Sequence, residues 1–436
     1  MTNTGVTRSS VRQARSFLAY GAGPMVGLVT APLLARALGP NGRGEFAAIM
    51  LVITVAGAVA SFGIPAATSV FVSRGYPVTE VNRISQATSL VCAVPVYIAV
   101  VLYGRLVAER LGLSWPVLAV FYLAVIASAS VQSRRGLWQG SGQIGRLDLE
   151  RAVYATLRLL GVVLLFSVGS QSAPAFAASS LLAFLVASSV IWTRLPSRRP
   201  AMPAEPNSQS VAAKGAIGPT RSRDEAVSRH SFMRYSATAA VGTIALVANS
   251  RLDQVILPSL TTLQEFGFYS VAVTLAEVPL IAGTLLARDL IRRAVAEAKV
   301  KDLLRRTIAT QIIGVALVVA IAVLLFPAVP LLYGDAFRPV IPATLILLMA
   351  TVITMYAQGL IAILQGRGRP AKSSVASVAG LVATVMGYVY VGLGATAIDA
   401  AFITLVTQGV TLVAASLLLR FGGASEQLAI NKVRGK

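Results

Sequence analysis

The Lys and Arg residues of this chain alternate in abundance across a series of apolar segments, and that alternation fixes the solvent in which the chain folds. Runs free of Asp, Glu, Lys and Arg cover 16–35, 46–73, 84–104, 111–133, 307–334, 339–366, 373–398 and 400–419. Each is long enough to cross ~30 Å of hydrocarbon at ~1.5 Å per residue. Four further segments complete the series: 147–168 with Arg158 inside it, 174–195, 235–260, and 266–288, the last two interrupted by charge. Twelve crossings return both termini to one side. Of the 38 Lys and Arg, 31 fall on the termini and even-numbered connections, and only Arg36, Arg43, Arg105, Arg110 and Arg338 fall on the other face. Arg158 and Arg251 lie within spans. The positive-inside rule then places the termini in the cytoplasm.

A net charge of +21 in a soluble protein would point to nucleic acid. Here the basic residues sit in short loops that face anionic lipid, and no nucleic-acid partner is expected. Cys92 lies inside the third span as a small apolar residue, so no disulfide or cysteine metal site forms within the chain. Residues 16–35 are long for a signal-peptide core and lack a small-x-small cleavage site, so they read as a retained first span.

The chain divides near its middle. A cytoplasmic tail at 1–15 and six spans at 16–195 precede a Pro-, Ser- and Arg-rich connector at 196–231, which need not fold. Six more spans occupy 232–420, and 421–436 form a second cytoplasmic tail. The halves echo each other. Gly44-Glu45-Phe46-Ala47 resembles Gly267-Phe268-Tyr269-Ser270 at an offset of 223, and Gln139-Gly140-Ser141-Gly142 resembles Gln365-Gly366-Arg367-Gly368 at 226. Nearly equal offsets point to a duplicated six-helix unit. Six is even, so the copies enter from the same side, and their pseudo-two-fold axis runs along the membrane normal. The expected fold is an all-α integral membrane protein of twelve helices in two lobes. Its interface would open alternately to each side, with substrate bound near the midplane; a scaffold without transport is the alternative.

Polar groups at membrane depth each cost at least ~2.5 kcal/mol unless they face the bundle interior or water. Arg158 and Glu277 stand eleven residues into their spans, ~16 Å from the interface. Arg251 and Asp253 are near the outer end of the seventh span and, two residues apart, on different faces. Asn249, Gln254, Gln358 and Gln365 are weaker companions. The arginines suit an anion clamp, since guanidinium binds phosphate oxygens in a bidentate way. The competing reading is a salt bridge to Glu277 or Asp253 that only orients helices. Glu277 could carry a coupling proton or neutralise an arginine, and Pro279 should bend its helix. His230, the only histidine, is in the connector, which rules out a histidine proton relay across the membrane. Leu38-Gly39-Pro40 and Gly42-x-Gly44 read as an outer turn, and the glycines at 21, 23 and 27 as helix-packing positions. No nucleotide-binding loop is present, so no cofactor is expected.

Leu34-Ala35-Arg36-Ala37-Leu38-Gly39-Pro40, then Gly44-Glu45-Phe46 and Ser61-Phe62-Gly63-Ile64, resemble the N-terminal signature of bacterial polysaccharide flippases. These belong to the multidrug/oligosaccharidyl-lipid/polysaccharide exporter superfamily. Arg251-Leu252-Asp253, Gly267-Phe268-Tyr269, Tyr333-Gly334-Asp335-x-Phe337 and Leu364-Gln365-Gly366-x-Gly368-Arg369 resemble the second-half pattern, so the likeness runs from about 16 to 420. The resemblance implies a transporter, not an enzyme, in a bacterial inner membrane. It would flip a polyprenyl-diphosphate-linked oligosaccharide outward as a monomer, alongside membrane lipids and partners such as a glycan polymerase or glycosyltransferases. In that family the first, second, seventh and eighth helices line a cationic cavity. Arg36, Arg251, Asp253 and Glu277 lie on or beside those helices, while Arg158 rests on its depth alone. The expected clamp is therefore Arg36, Arg158 and Arg251, with Asp253 and Glu277 as coupling or charge-pair residues and Asn249, Gln254 and Gln358 in support. A cation-coupled drug antiporter of the same superfamily and a membrane glycan polymerase or glycosyltransferase are the rivals.

Overall fold

A computed structural model of the protein describes residues 4–196, 228–280, 290, 300–366 and 370–434, and every regular element among them is helical. The connector expected at 196–231 lies, from 197 to 227, outside the described residues, as do the inner end of the eighth span and the basic residues Arg288, Arg292, Arg293, Lys299, Arg367 and Arg369. Among the described residues, eight helices are long and apolar enough to cross a membrane, the first of them Val26–Ala60 and the last Ala397–Arg420.

Helix α1, Thr4–Ala60, joins the first two expected crossings. They are separated only by a kink at Gly39, whose φ of 63° and ψ of −177° leave the helical region. Glycine tolerates this left-handed value, and Pro40 suits the first turn of the helix that resumes. The second crossing is itself interrupted: Phe62 and Gly63 both take positive φ, 43° and 67°, before α2, Ile64–Ser73. Helix α3 is Val78–Leu111, and α4, Trp115–Tyr122, and α5, Ala124–Gly140, divide one crossing at Leu123. Helices α6, Ile144–Ser167, and α7, Ala173–Trp192, follow, the latter begun by Pro174 and capped by Ser172, which accepts the Ala175 N–H at 3.4 Å.

In the second half, α8 is Arg229–Ile256 and α9 is Leu263–Ala276. Thr262 caps α9 by accepting the Glu265 N–H at 3.3 Å. The Glu265 carboxylate accepts the Ala397 N–H at 2.8 Å, tying α9 to the start of the last helix. As Pro279 predicts, α9 stops at Ala276: Pro279 offers no N–H, and Leu280 N–H turns to the Glu277 carbonyl at 3.0 Å. Thr351 then donates to the Ala276 carbonyl at 2.9 Å. Helices α10, Val300–Ala328, α11, Val340–Gly366, α12, Pro370–Val391, and α13, Ala397–Arg434, complete the chain. A π-turn at Val329–Tyr333 closes α10. The expected C-terminal tail, 421–436, continues α13 as helix to Arg434.

The apolar surface is turned outward. Val91, Leu102, Leu164, Val323, Val389 and Leu331 are among many large apolar side chains left exposed, which suits a lipid solvent and no other. Serines and threonines such as Ser89, Ser180, Thr384 and Thr411 are buried between helices, where small polar residues let backbones approach. The largest buried cluster spans the two halves, with Ala31, Ala35, Ala47 and Ala48 of α1 against Phe266 and Tyr269 of α9.

Within that seam two glycines face each other. A Cβ on Gly44 would overlap the Leu263 carbonyl oxygen, and a Cβ on Gly267 would overlap that of Pro40. Each carbonyl lies four residues before the partner glycine, so the contact is reciprocal, at the offset of 223 shared by the two sequence motifs. A second seam contact joins the break before α2 to α8: Ser236 donates to the Phe62 carbonyl at 2.7 Å, and Gly63 leaves no room for a side chain against the backbone of Ser236–Ala240. Phe71 and Phe232 stack edge to face beside it, centroids 5.4 Å apart.

Candidate functional site

Helix α8 presents its charges on two faces, as the spacing of Arg251 and Asp253 requires. Arg251 grips Glu277 through both nitrogens, Nη1 to Oε1 at 2.8 Å and Nη2 to Oε2 at 3.2 Å, and also reaches Gln254 Oε1 at 3.4 Å. Both partners stay about one-third exposed, so the pair borders open space. The break after α9 brings the carboxylate there, because Glu277 is the residue on which the helix ends. Asp253 faces the other way and accepts the Tyr269 hydroxyl, which also meets Thr404 Oγ1 at 3.1 Å. The Tyr388 hydroxyl lies within electrostatic range of Asp253 and is buried without a partner. Asn249 donates to the Ser377 carbonyl at 3.4 Å, which ties α8 to α12. Gln254 is buried, and Gln358 is half-buried on α11.

The three arginines expected in one clamp occupy three places. Arg36 is exposed beside the π-turn and donates to the carbonyls of Leu331 and of Leu332, the latter at 2.9 Å. These are carbonyls that the end of a helix leaves without intrahelical donors. Arg251 is matched by Glu277. Arg158, on α6, makes no ion pair among the described residues; its Nε is buried and unbonded.

Arg43, which the charge pattern assigns to the outer face, lies within electrostatic range of Arg158. It is 7 % exposed, its Nε is likewise unbonded, and it lies over the Phe46 ring at 5.4 Å. Arg43 stands one helical turn past the Gly39 kink, so the kink decides that it turns into the packed interior while Arg36 turns out. Its charge opposes that of Arg158 and interacts with the Tyr333 phenol from the second half. The tyrosines at 269, 333 and 388 and Thr404 also belong to this region. Uncharged and amphipathic, they give no signal in a charge pattern.

Where α5 ends and α6 begins, Arg135 holds Glu150 at 2.5 Å, and Arg134 bonds Asn82 at 2.6 Å and the Ile191 carbonyl at 3.2 Å. No cluster of three His, Cys, Asp or Glu suited to a metal occurs among the described residues.

Broken helices with lipid-facing apolar surfaces, packed about a charged seam, make up a multi-pass membrane protein. The fold is similar to that of solved transporters of the MOP superfamily. An inward-facing multidrug resistance MATE family transporter aligns over 97 % of this chain and 98 % of its own, at TM-score 0.68 and 15 % identity. An outward-facing MATE family transporter aligns over 94 % of each chain at 0.53 and 14 %. A MOP superfamily transporter from Pyrococcus furiosus, described by a reversed polarity of its binding pocket, aligns over 94 % and 93 % at 0.55 and 12 % identity. No curated protein matches the sequence. Residues 14–287 match the family described as polysaccharide biosynthesis protein, and the chain belongs to that family.

Proposed function

We propose that the protein flips a polyprenyl-diphosphate-linked oligosaccharide from the inner to the outer leaflet of a bacterial inner membrane, for cell-surface polysaccharide synthesis. It works by alternating access between two six-helix lobes, 16–195 and 232–420, twelve spans in all, joined by the cytoplasmic connector 196–231. Tails at 1–15 and 421–436 are cytoplasmic, and the unit is a monomer. The reciprocal crossing of Gly44 and Gly267 supports a pseudo-two-fold along the membrane normal.

One observation carries the substrate assignment: buried positive charge that no carboxylate among the described residues answers, on Arg43 and Arg158. Such a site attracts an anion and repels a cation. The family's link to polysaccharide biosynthesis names the class of anion. Asp253 and Glu277 in the second half are the coupling or charge-pair residues, with Asn249, Gln254 and Gln358 in support. They also favour the rival reading, a cation-coupled drug antiporter, since half-buried carboxylates are what a cation would use.

The two readings part in proteoliposomes loaded with a fluorescent lipid-linked oligosaccharide. Protein-dependent transfer across the bilayer, with no efflux of a cationic dye, is the expected result. Dye efflux without lipid transfer reverses the assignment. In cells, depletion should leave the lipid-linked intermediate on the cytoplasmic leaflet.

A further inference from the structure

We propose that Arg36 and Tyr103 are the two straps of a gate: from the first half of the chain they hold backbone carbonyls of the second half, and each transport cycle releases and remakes them. The gate is the outer one in the orientation proposed above. The inference rests on the transporter reading, and it gives Arg36 work at the gate in place of the anion clamp.

Arg36 stands on α1 just before the Gly39 kink, where its Nε donates to the Leu332 carbonyl at 2.9 Å and its Nη2 to the Leu331 carbonyl. The Tyr103 hydroxyl of α3 donates to the carbonyl of Val255, one residue before α8 ends. The internal repeat makes these two contacts counterparts. At the offset of 223, Arg36 corresponds to position 259, just past Val255, and Tyr103 corresponds to position 326, just before Leu331. One strap thus ties the end of the first crossing to the end of α10, and the other ties α3 to the end of the crossing that repeats the first. A single apolar cluster closes around both. It buries Ala35, Val107 and Leu111 of the first half with Leu257, Val329 and Tyr333 of the second, and Tyr103 packs against it.

The choice of acceptor separates a gate from a permanent joint. Between described residues, three side chains bond across the seam, Arg36, Tyr103 and Ser236, and every acceptor is a backbone carbonyl. The ion pairs behave differently: Arg105 with Glu109, Arg135 with Glu150, Arg251 with Glu277 and Arg338 with Asp335 each close within one half. Separating a desolvated ion pair leaves two charges uncompensated, which would hold the halves shut. A carbonyl at a helix end only exchanges one donor for another, because water takes the place of the side chain at small net cost. Arg36 is already exposed, so its charge needs no new partner when it lets go. Its planar fork reaches two successive carbonyls together, which fixes the direction of the π-turn as well as its distance. The straps are therefore specific in geometry and weak in energy, as a contact remade in every cycle has to be.

The experiment measures the opening itself, in the purified full chain reconstituted in lipid with Cys92 replaced by Ser. Spin labels on Arg110→Cys and Leu393→Cys, both exposed and one on each half, report the separation of the halves by pulsed electron resonance. Tyr103→Phe removes one hydroxyl and Arg36→Met removes the fork while keeping its length. Each should at least double the population at longer distance, and together they should make it the majority. Arg338→Gln, which loses an ion pair confined to the second half, should leave the distances as they are. Unchanged distances in the double variant overturn the proposal, and so does a lowered melting temperature without lengthening, the mark of a purely structural contact. Wild-type transfer of lipid-linked oligosaccharide alongside unchanged distances sinks the straps and leaves the flippase reading standing. Distances that lengthen as expected, in a protein that transfers no such lipid, keep the gate and remove the flippase reading.

Discussion

Arg251 and Glu277 form a two-pronged ion pair at 2.8 and 3.2 Å, joining α8 to the point where α9 breaks. Its energetic worth lies in the pairing more than in either charge, because removing one partner leaves the other uncompensated at membrane depth. Arg251→Met or Glu277→Met alone should lower the melting temperature in detergent by several degrees. The double substitution should recover at least half of that loss, a coupling that a thermodynamic cycle reads directly. Additive losses would show that the two groups act independently.

The glycine crossing predicts a change of access. Gly44→Ala or Gly267→Ala forces backbone from backbone at the outer end of the seam, at a cost of about 1–3 kcal/mol. With Cys92 replaced by Ser and Ala47, now buried, replaced by Cys, a membrane-impermeant maleimide added from outside should label the Gly44→Ala protein at least tenfold faster. Equal rates would place the outer seal elsewhere.

Gly63 serves two needs at once, a φ of 67° and a close approach to α8. Gly63→Ala should therefore destabilise the protein more than Ser236→Ala, which removes only the 2.7 Å hydrogen bond to Phe62, worth about 1 kcal/mol. Thermal unfolding of the two variants ranks them. The opposite order would mean that α8 yields readily to the added methyl.

Thr351 answers a carbonyl that the turn at Pro279 sets free. Thr351→Val should cost about 1 kcal/mol in the wild type and almost nothing in Pro279→Ala, where α9 continues and the Leu280 N–H returns to Ala276. Equal costs in both backgrounds would separate the hydroxyl from the break.

Much of this was written in charge and apolar length. Long apolar runs mark out the eight helices that are apolar enough to cross a membrane among the described residues, and the motifs at Gly44 and Gly267, which echo each other in sequence, touch in the structure. The site was less legible. Arg36 and Arg43 are seven residues apart in one charged outer turn, and nothing in composition says which is buried; that depends on a single left-handed residue, Gly39. The pairing of Arg251 with Glu277 depends on where two helices cross, so it stood as one alternative among several. Breaks at Phe62 and Leu123 carry no mark in the sequence, because both lie within unbroken apolar runs.

The meeting of Gly44 and Gly267 has the form of an isologous interface, in which each side presents the same surface to the other. A substitution at one glycine and a substitution at the other press on the same two backbones from opposite directions. Neither α1 nor α9 is then free to vary alone at this point. Closer approach on one side demands matching relief on the other, so the outer ends of the halves must drift in step.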